Sequence, residues 1–216
     1  TKLVAPFVMV AFGWGAVAVD PRDPDVAIAS TFNRFAPHDE VFLSRDGGRH
    51  WTPLIAGAAF DHSASPWTAH TGPHWIADVA IDPSNHDEAM FTTGYGIWAS
   101  RNLGAAGRAP VQWWFKDQGL EETVPLALLS PVEGAPLLSG LGDIDGFRHD
   151  DLARTTLQFD GPRLTNTESL ANAGRAPLVV VRTGTIRSFK PGDVRAAHST
   201  DGGRSWTSLA SEPPAG

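Results

Sequence analysis

The chain of 216 residues has no cysteine, one tyrosine (Tyr95) and two methionines. Without cysteine there is no disulfide framework, thiol nucleophile or thiolate metal site. This is compatible with a cytoplasmic or an exported protein. A lone tyrosine between Gly94 and Gly96 argues against a sialidase, which needs a tyrosine nucleophile and an arginine cluster. No long hydrophobic run is present. The apolar stretch from Leu3 to Phe12 contains Pro6, is too short to span a bilayer and has no credible cleavage site, so neither a membrane partner nor a signal peptide is expected. Basic residues are in the minority: the net charge is −7 with the acids scattered, which excludes a nucleic-acid partner. No H-E-x-x-H, G-x-S-x-G or phosphate-loop motif occurs. His149-Asp150-Asp151 lacks a spaced partner, so no metal and no cofactor are expected.

What is present in quantity is glycine (22), proline (17) and tryptophan (8), a composition of many turns and little helix. Within it lies a repeat. Ser44-Arg45-Asp46-Gly47-Gly48-Arg49-His50-Trp51 returns as Ser199-Thr200-Asp201-Gly202-Gly203-Arg204-Ser205-Trp206, the Asp box of sialidase-like β-propellers. Asp-Gly-Gly supplies positive φ at a hairpin turn, and the Ser and Asp oxygens bond backbone across it. Asp46 and Asp201 therefore read as turn fasteners. Ser100-Arg101-Asn102 is a degenerate copy.

A second repeat is a short β-prone run ending at proline: Ala16–Pro21, Asp78–Pro83 and, more weakly, Leu126–Pro131, with Val179-Val180-Val181 as a fourth copy. The fold class expected is all-β: β-propeller blades of four antiparallel strands with Asp-box turns. About four blades fall near 13–55, 75–115, 124–150 and 176–210, with long loops at 55–74 and 150–175. So few blades do not close a ring comfortably, and open edges expose unpaired strands. The partner expected is the rest of a larger propeller enzyme or a second chain, and the start at Thr1 reads as that of a processed or excised segment.

Three further segments are more particular: Gly119-Leu120-Glu121-Glu122-Thr123-Val124, Ser130-Pro131 with Gly134–Ser139, and Gly142-Asp143-Ile144-Asp145-Gly146-Phe147-Arg148-His149-Asp150-Asp151-Leu152. In this order, and with Ala64-Ser65-Pro66-Trp67, they resemble the xyloglucanases of glycoside hydrolase family 74, over nearly the whole chain. The resemblance implies two seven-bladed propellers with a cleft between them and a pair of aspartates. One belongs to a Thr-Asp-x-Gly-Gly motif, which this sequence lacks. The other belongs to Gly-Asp-x-Gly-Gly-Phe, which makes Asp143 the general acid by resemblance. The family pattern has glycine where Asp145 stands.

Inverting hydrolysis of a β-1,4-glucan needs one carboxyl to protonate the leaving oxygen and a second to activate water. On an extended strand Asp145 would share a face with Asp143 and modulate its acidity. The sugar-binding candidates are Phe35, in a loop where family members carry tryptophan, Trp67 in the long insertion, and Trp114, Arg148 and His149. Trp75 is a further possible platform. Trp98 lies in a blade strand and reads as core, and of Trp113 and Trp114 only one faces outward. Glu121 and Glu122 read as solvated loop residues. The ligand expected is a xyloglucan-like oligo- or polysaccharide, and the location secreted or periplasmic. A non-catalytic Asp-box module that binds glycan or protein is the alternative.

Overall fold

The computed structural model describes residues 13–34, 36–118, 120, 123–154 and 156–212. Phe35, Glu121, Glu122 and the run Leu3–Phe12 lie outside the described residues. Residues 1–122 form one compact unit and residues 123–216 another.

The first unit holds two sheets. Strands β1 (Gly13–Asp20), β2 (Asp23–Phe32), β3 (Val41–Ser44) and β4 (Thr52–Pro53) form an antiparallel meander in chain order. The second sheet comprises β5 (Ala59–Asp61), β6 (Val79–Asp82), β7 (Asn85–Thr93), β8 (Gly96–Ser100) and β9 (Gln112–Phe115), in the order β5-β9-β8-β7-β6. The second unit holds two more meanders: β10 (Pro125–Leu129), β11 (Leu137–Leu141), β12 (Gly146–His149) and β13 (Leu157–Gln158), then β14 (Asn166–Ala173), β15 (Ala176–Thr185), β16 (Ala196–Ser199) and β17 (Thr207–Ser208). These are propeller blades, as the repeats predict. Among the described residues, no helix is long and apolar enough to cross a membrane.

All three proline-terminated runs are first strands, in β1, β6 and β10. Val179-Val180-Val181 is instead the middle of β15, a second strand paired with β14 and β16. The first strand of that blade, Asn-Thr-Glu-Ser-Leu-Ala-Asn-Ala, is polar, ends at no proline and lies inside the stretch 150–175 expected to be loop. Partial exposure along its length leaves it without the apolar signature that marks the other first strands. The insertion at 55–74 is likewise not all loop. It carries β5, parallel to β9, and a 3₁₀ turn over Pro66–His70.

The Asp boxes close β3–β4 and β16–β17 identically. Gly48 N–H donates to Ser44 Oγ at 2.8 Å, and Asp46 Oδ1 accepts from the N–H of Arg49 and His50 at 3.0 and 2.9 Å. In the second box Gly203 N–H donates to Ser199 Oγ at 2.8 Å, and Asp201 Oδ1 accepts from the N–H of Arg204 and Ser205, each at 3.0 Å. Gly47, Gly48, Gly202 and Gly203 all have φ between 68° and 85°, the region that only glycine enters freely. The side-chain bond from His50 holds Asp46 well below the usual carboxylate range. Burial raises Asp201, but the Ser205 side-chain and backbone bonds outweigh it and bring it below that range too. The degenerate copy works alike: Asn102 Oδ1 accepts from Ser100 Oγ at 3.1 Å and from Gln112 N–H at 2.8 Å.

In the second unit Leu138, Phe159, Val180, Ala197 and Trp206 form a core between the two sheets. In the first unit Trp98 and Trp113 are buried. Trp98 packs edge-on to Phe60 and Phe115. Trp113 donates Nε1–H to the Leu54 carbonyl at 3.2 Å, so β9 buries one tryptophan of its pair and turns Trp114 outward.

Candidate active-site turn

The segment 142–145 is a tight turn between β11 and β12. Leu141 N–H donates to the Asp145 carbonyl at 2.8 Å, and Ile144 N–H to that of Gly142 at 2.8 Å. The turn folds this way because both aspartates take left-handed backbone, φ 66° at Asp143 and 67° at Asp145. Asp and Asn enter this region more readily than other residues with a Cβ. Gly146 is required for packing: a Cβ there would stand 2.3 Å from the Ser139 carbonyl oxygen and 2.5 Å from the Phe159 ring.

The two carboxylates do not share a face, contrary to the extended-strand expectation. Asp145 is fully buried. Its Oδ1 accepts from Thr167 Oγ1 at 2.6 Å and pairs with the Arg182 guanidinium, and its Oδ2 accepts from Leu164 N–H at 3.2 Å. Burial pushes its carboxyl up, against the downward pull of Arg182 and of the Thr167 bond. Arg182 is itself enclosed, between the Phe159 and Trp206 rings at 4.9 and 4.7 Å. Asp145 is thus an internal fastener between β12 and the β14–β15 hairpin.

Asp143 sits on the other side of the turn. Its N–H donates to Asn166 Oδ1 at 2.8 Å, and its side chain is about one-third exposed. One oxygen pairs with the exposed Arg187 guanidinium, whose own backbone N–H is held by Thr165 Oγ1 at 2.8 Å. Asn166, Thr165 and Arg187 carry no motif, so sequence reading did not find them. The only signal was the polar composition of the stretch leading into β14.

Arg148 is not available to a ligand. Its side chain is buried, donating to both oxygens of Asp150 and to the Gly202 carbonyl of the second Asp box. It ties β12 to the neighbouring blade's turn. His149 is half-buried, with Nε2 2.8 Å from Ser139 Oγ, and burial lowers its basicity below the usual histidine range. Asp151 pairs with Arg154. Among the described residues, no group of three His, Asp or Glu side chains is disposed to hold a metal ion.

In the first unit, Trp67 corrects another expectation. It is buried in the 3₁₀ turn, edge-on to Tyr95 and Phe115, because Pro66 starts a turn that folds the insertion back onto its own sheet. It is core, and no sugar face is left on it. Trp114 is half-buried beside Phe60, Asp61 and Gln112, with the Arg101 guanidinium 5.3 Å from its ring centroid.

No protein-family model matches the chain. The chain is 37% identical to the probable oligoxyloglucan-reducing end-specific xyloglucanase of Neosartorya fischeri, over 95% of its own length and 30% of that protein's. It is 35% identical to a Paenibacillus xyloglucanase, over 94% of its own length and 22% of that one. The crystal structure of the GH74 xyloglucanase from Xanthomonas campestris superposes with a TM-score of 0.87 at 64% identity, over 95% of this chain and 29% of that one. The chain belongs to glycoside hydrolase family 74. A second GH74 enzyme, from Niastella koreensis, superposes with a TM-score of 0.75 at 28% identity, over 92% of this chain. This family 74 chain spans about three-tenths of the length of these relatives, less for the Paenibacillus protein.

Proposed function

We propose that the chain supplies the proton-donating carboxylate, Asp143, of an inverting xyloglucanase-type hydrolase that cleaves the β-1,4-glucan backbone. The observation that carries this is the division of labour in the turn. Of its two carboxylates, Asp145 is sealed inside by Arg182, Thr167 and Leu164, and Asp143 alone reaches solvent. Support for the substrate comes from relatives that are named xyloglucanases.

In this reading Asp143 protonates the leaving glycosidic oxygen. A second carboxylate, from outside these 216 residues, activates water about 6.5–9.5 Å away. Asn166 fixes the Asp143 backbone so that the carboxyl projects from the turn tip. Arg187 pairs with Asp143 in the ligand-free chain, so its guanidinium swings aside for proton donation and returns to the carboxylate that donation leaves behind. Asp145 modulates the site by fixing the turn from within. His149 and Trp114 serve as sugar-contacting groups in their own units. The protein acts outside the cytoplasm, where polysaccharide is met.

The test uses the leaving group. Asp143→Ala in the full-length protein should lose most activity on xyloglucan. It should keep far more on an aryl glucoside whose phenolate leaves without a proton. Equal losses on both substrates would remove Asp143 from the proton-donor role.

One observation favours the alternative of a non-catalytic module that binds glycan or protein: the Arg187 pair already occupies an Asp143 oxygen. That reading expects Asp143→Ala to leave hydrolysis unchanged.

A further inference from the structure

Two adjacent residues, Thr165 and Asn166, bracket both the turn that carries Asp143 and the start of the loop between β15 and β16. The Thr165 carbonyl accepts from Asp145 N–H at 3.2 Å, and Asn166 Oδ1 accepts from Asp143 N–H at 2.8 Å. Thr165 Oγ1 accepts from Arg187 N–H at 2.8 Å, and Thr165 N–H donates to the Thr185 carbonyl at 2.8 Å. The bracket fits closely against β15: a Cβ on Gly184 would stand 1.8 Å from the Asn166 carbonyl oxygen. Beyond Arg187 the loop is held by other bonds, Lys190 N–H on Asp193 Oδ2 at 2.6 Å and the Arg195 guanidinium on Glu212 at 2.9 Å. The backbone at Asp143 and at Arg187 is therefore placed without help from the ion pair between them.

That pair adds little to the fold. Its side chains are 69% exposed at Arg187 and 32% at Asp143, and ion pairs in contact with water contribute little to stability. It occupies one oxygen of Asp143 and one nitrogen of Arg187, Nη2. Nη1 and Nε bond no other described residue. A guanidinium is a planar fork of N–H donors that can grip two acceptors side by side. Here the unused donors stand beside the carboxyl that reads as the proton donor. Once Asp143 is protonated, its charge is gone and the fork loses its counter-ion. The oxygen that Asp143 protonates belongs to the departing sugar. The acceptors nearest the released fork are then the hydroxyls of that same sugar.

We propose that Arg187 is a specificity-determining residue that holds the departing sugar, its guanidinium donating to a ring hydroxyl next to the oxygen that Asp143 protonates. Which side of the scissile bond it meets rests on the proton-donor reading of Asp143. As the bond breaks, the Asp143 proton stays on the departing oxygen as a new hydroxyl. The other sugar takes hydroxide from the water that the second carboxylate deprotonates. Asp143 is left as a carboxylate, Arg187 returns to it, and the departing sugar is released. One side chain thus grips the leaving side before cleavage and lets it go afterwards.

The test compares two substrates of the full-length protein: xyloglucan, and a phenyl β-cello-oligosaccharide whose phenol needs the proton but brings no sugar on the leaving side. Arg187→Met keeps the stem and removes the fork. It should lower kcat/KM on xyloglucan about ten- to hundredfold, and on the phenyl substrate by no more than about threefold. Its melting temperature should stay within about 2 °C of the parent. Arg187→Lys keeps the charge beside Asp143 but not the fork, so it should also lose on xyloglucan, by about three- to tenfold. Equal losses on both substrates, or a lysine variant as active as the parent, would mean that Arg187 acts only through Asp143, and either result overturns the proposal. So does an unchanged kcat/KM on xyloglucan in Arg187→Met. Asp143→Ala in the same assay separates the two readings. If it cleaves the phenyl substrate as the parent does while Arg187→Met still loses only on xyloglucan, the proton-donor reading fails and the sugar contact of Arg187 stands.

Discussion

Replacing Asp145 with glycine, the residue implied at this place by the family 74 pattern, should destabilise the second unit strongly. In the native fold Arg182 and Asp145 each have a side chain that is 0% exposed. Removing the carboxylate leaves the guanidinium with the Pro162 carbonyl at 2.6 Å, Thr167 Oγ1 at 3.3 Å and two aromatic rings, but no counter-charge. Stranding one member of a buried pair costs about 3–5 kcal/mol. Glycine at φ 67° returns about 1–2 kcal/mol of left-handed strain. The net loss is about 1–4 kcal/mol, a fall on the order of 10 °C in the midpoint of the transition that includes this unit. Scanning calorimetry reads it directly. The double variant Asp145→Gly/Arg182→Met removes both charges and should recover most of the loss, because an apolar pair tolerates burial. A midpoint moved by less than about 1 °C in the single variant, or losses that simply add in the double variant, would refute the reasoning.

Three further outcomes follow from the same contacts. Gly146→Ala drives a Cβ against the Ser139 carbonyl and the Phe159 ring, so it should cost about 1–3 kcal/mol or more in urea denaturation. Asp201→Ala strips the second Asp box of its acceptor for two backbone N–H groups. It should lower stability by about 1 kcal/mol and leave activity per folded molecule unchanged. Burial depresses His149 below its ordinary value of 6.5. Its contribution to stability is therefore complete above about pH 6.5 and is lost as pH falls through the depressed folded value. Denaturation midpoints across that window should fall less steeply in His149→Gln than in the parent.

The Asp boxes made the blades legible because their chemistry is local. Ser, Asp and two glycines bond one another within a few residues, so the sequence carries the whole turn. The first strands β1, β6 and β10 were legible for the same reason, as apolar runs stopped by proline. β14 was not, since its register comes from β15 beside it and not from its own pattern. The candidate site divided similarly. Asp143 was visible through its motif, but the roles of its neighbours depend on contacts remote in sequence. Asp145 finds Arg182, Asp143 finds Arg187, and Arg148 finds Gly202. An alternation rule placed the two aspartates on one face. Left-handed backbone at both positions defeated it. Trp67 misled because a long insertion suggested exposure, whereas its proline starts a 3₁₀ turn that packs inward.

The most direct test of the central claim is the turnover of the full-length protein on xyloglucan with Asp143→Asn, a substitution that keeps the shape of the turn and removes the proton. The account predicts a fall in kcat of about 10²–10⁴-fold, with KM little changed. A kcat equal to that of the parent would contradict it.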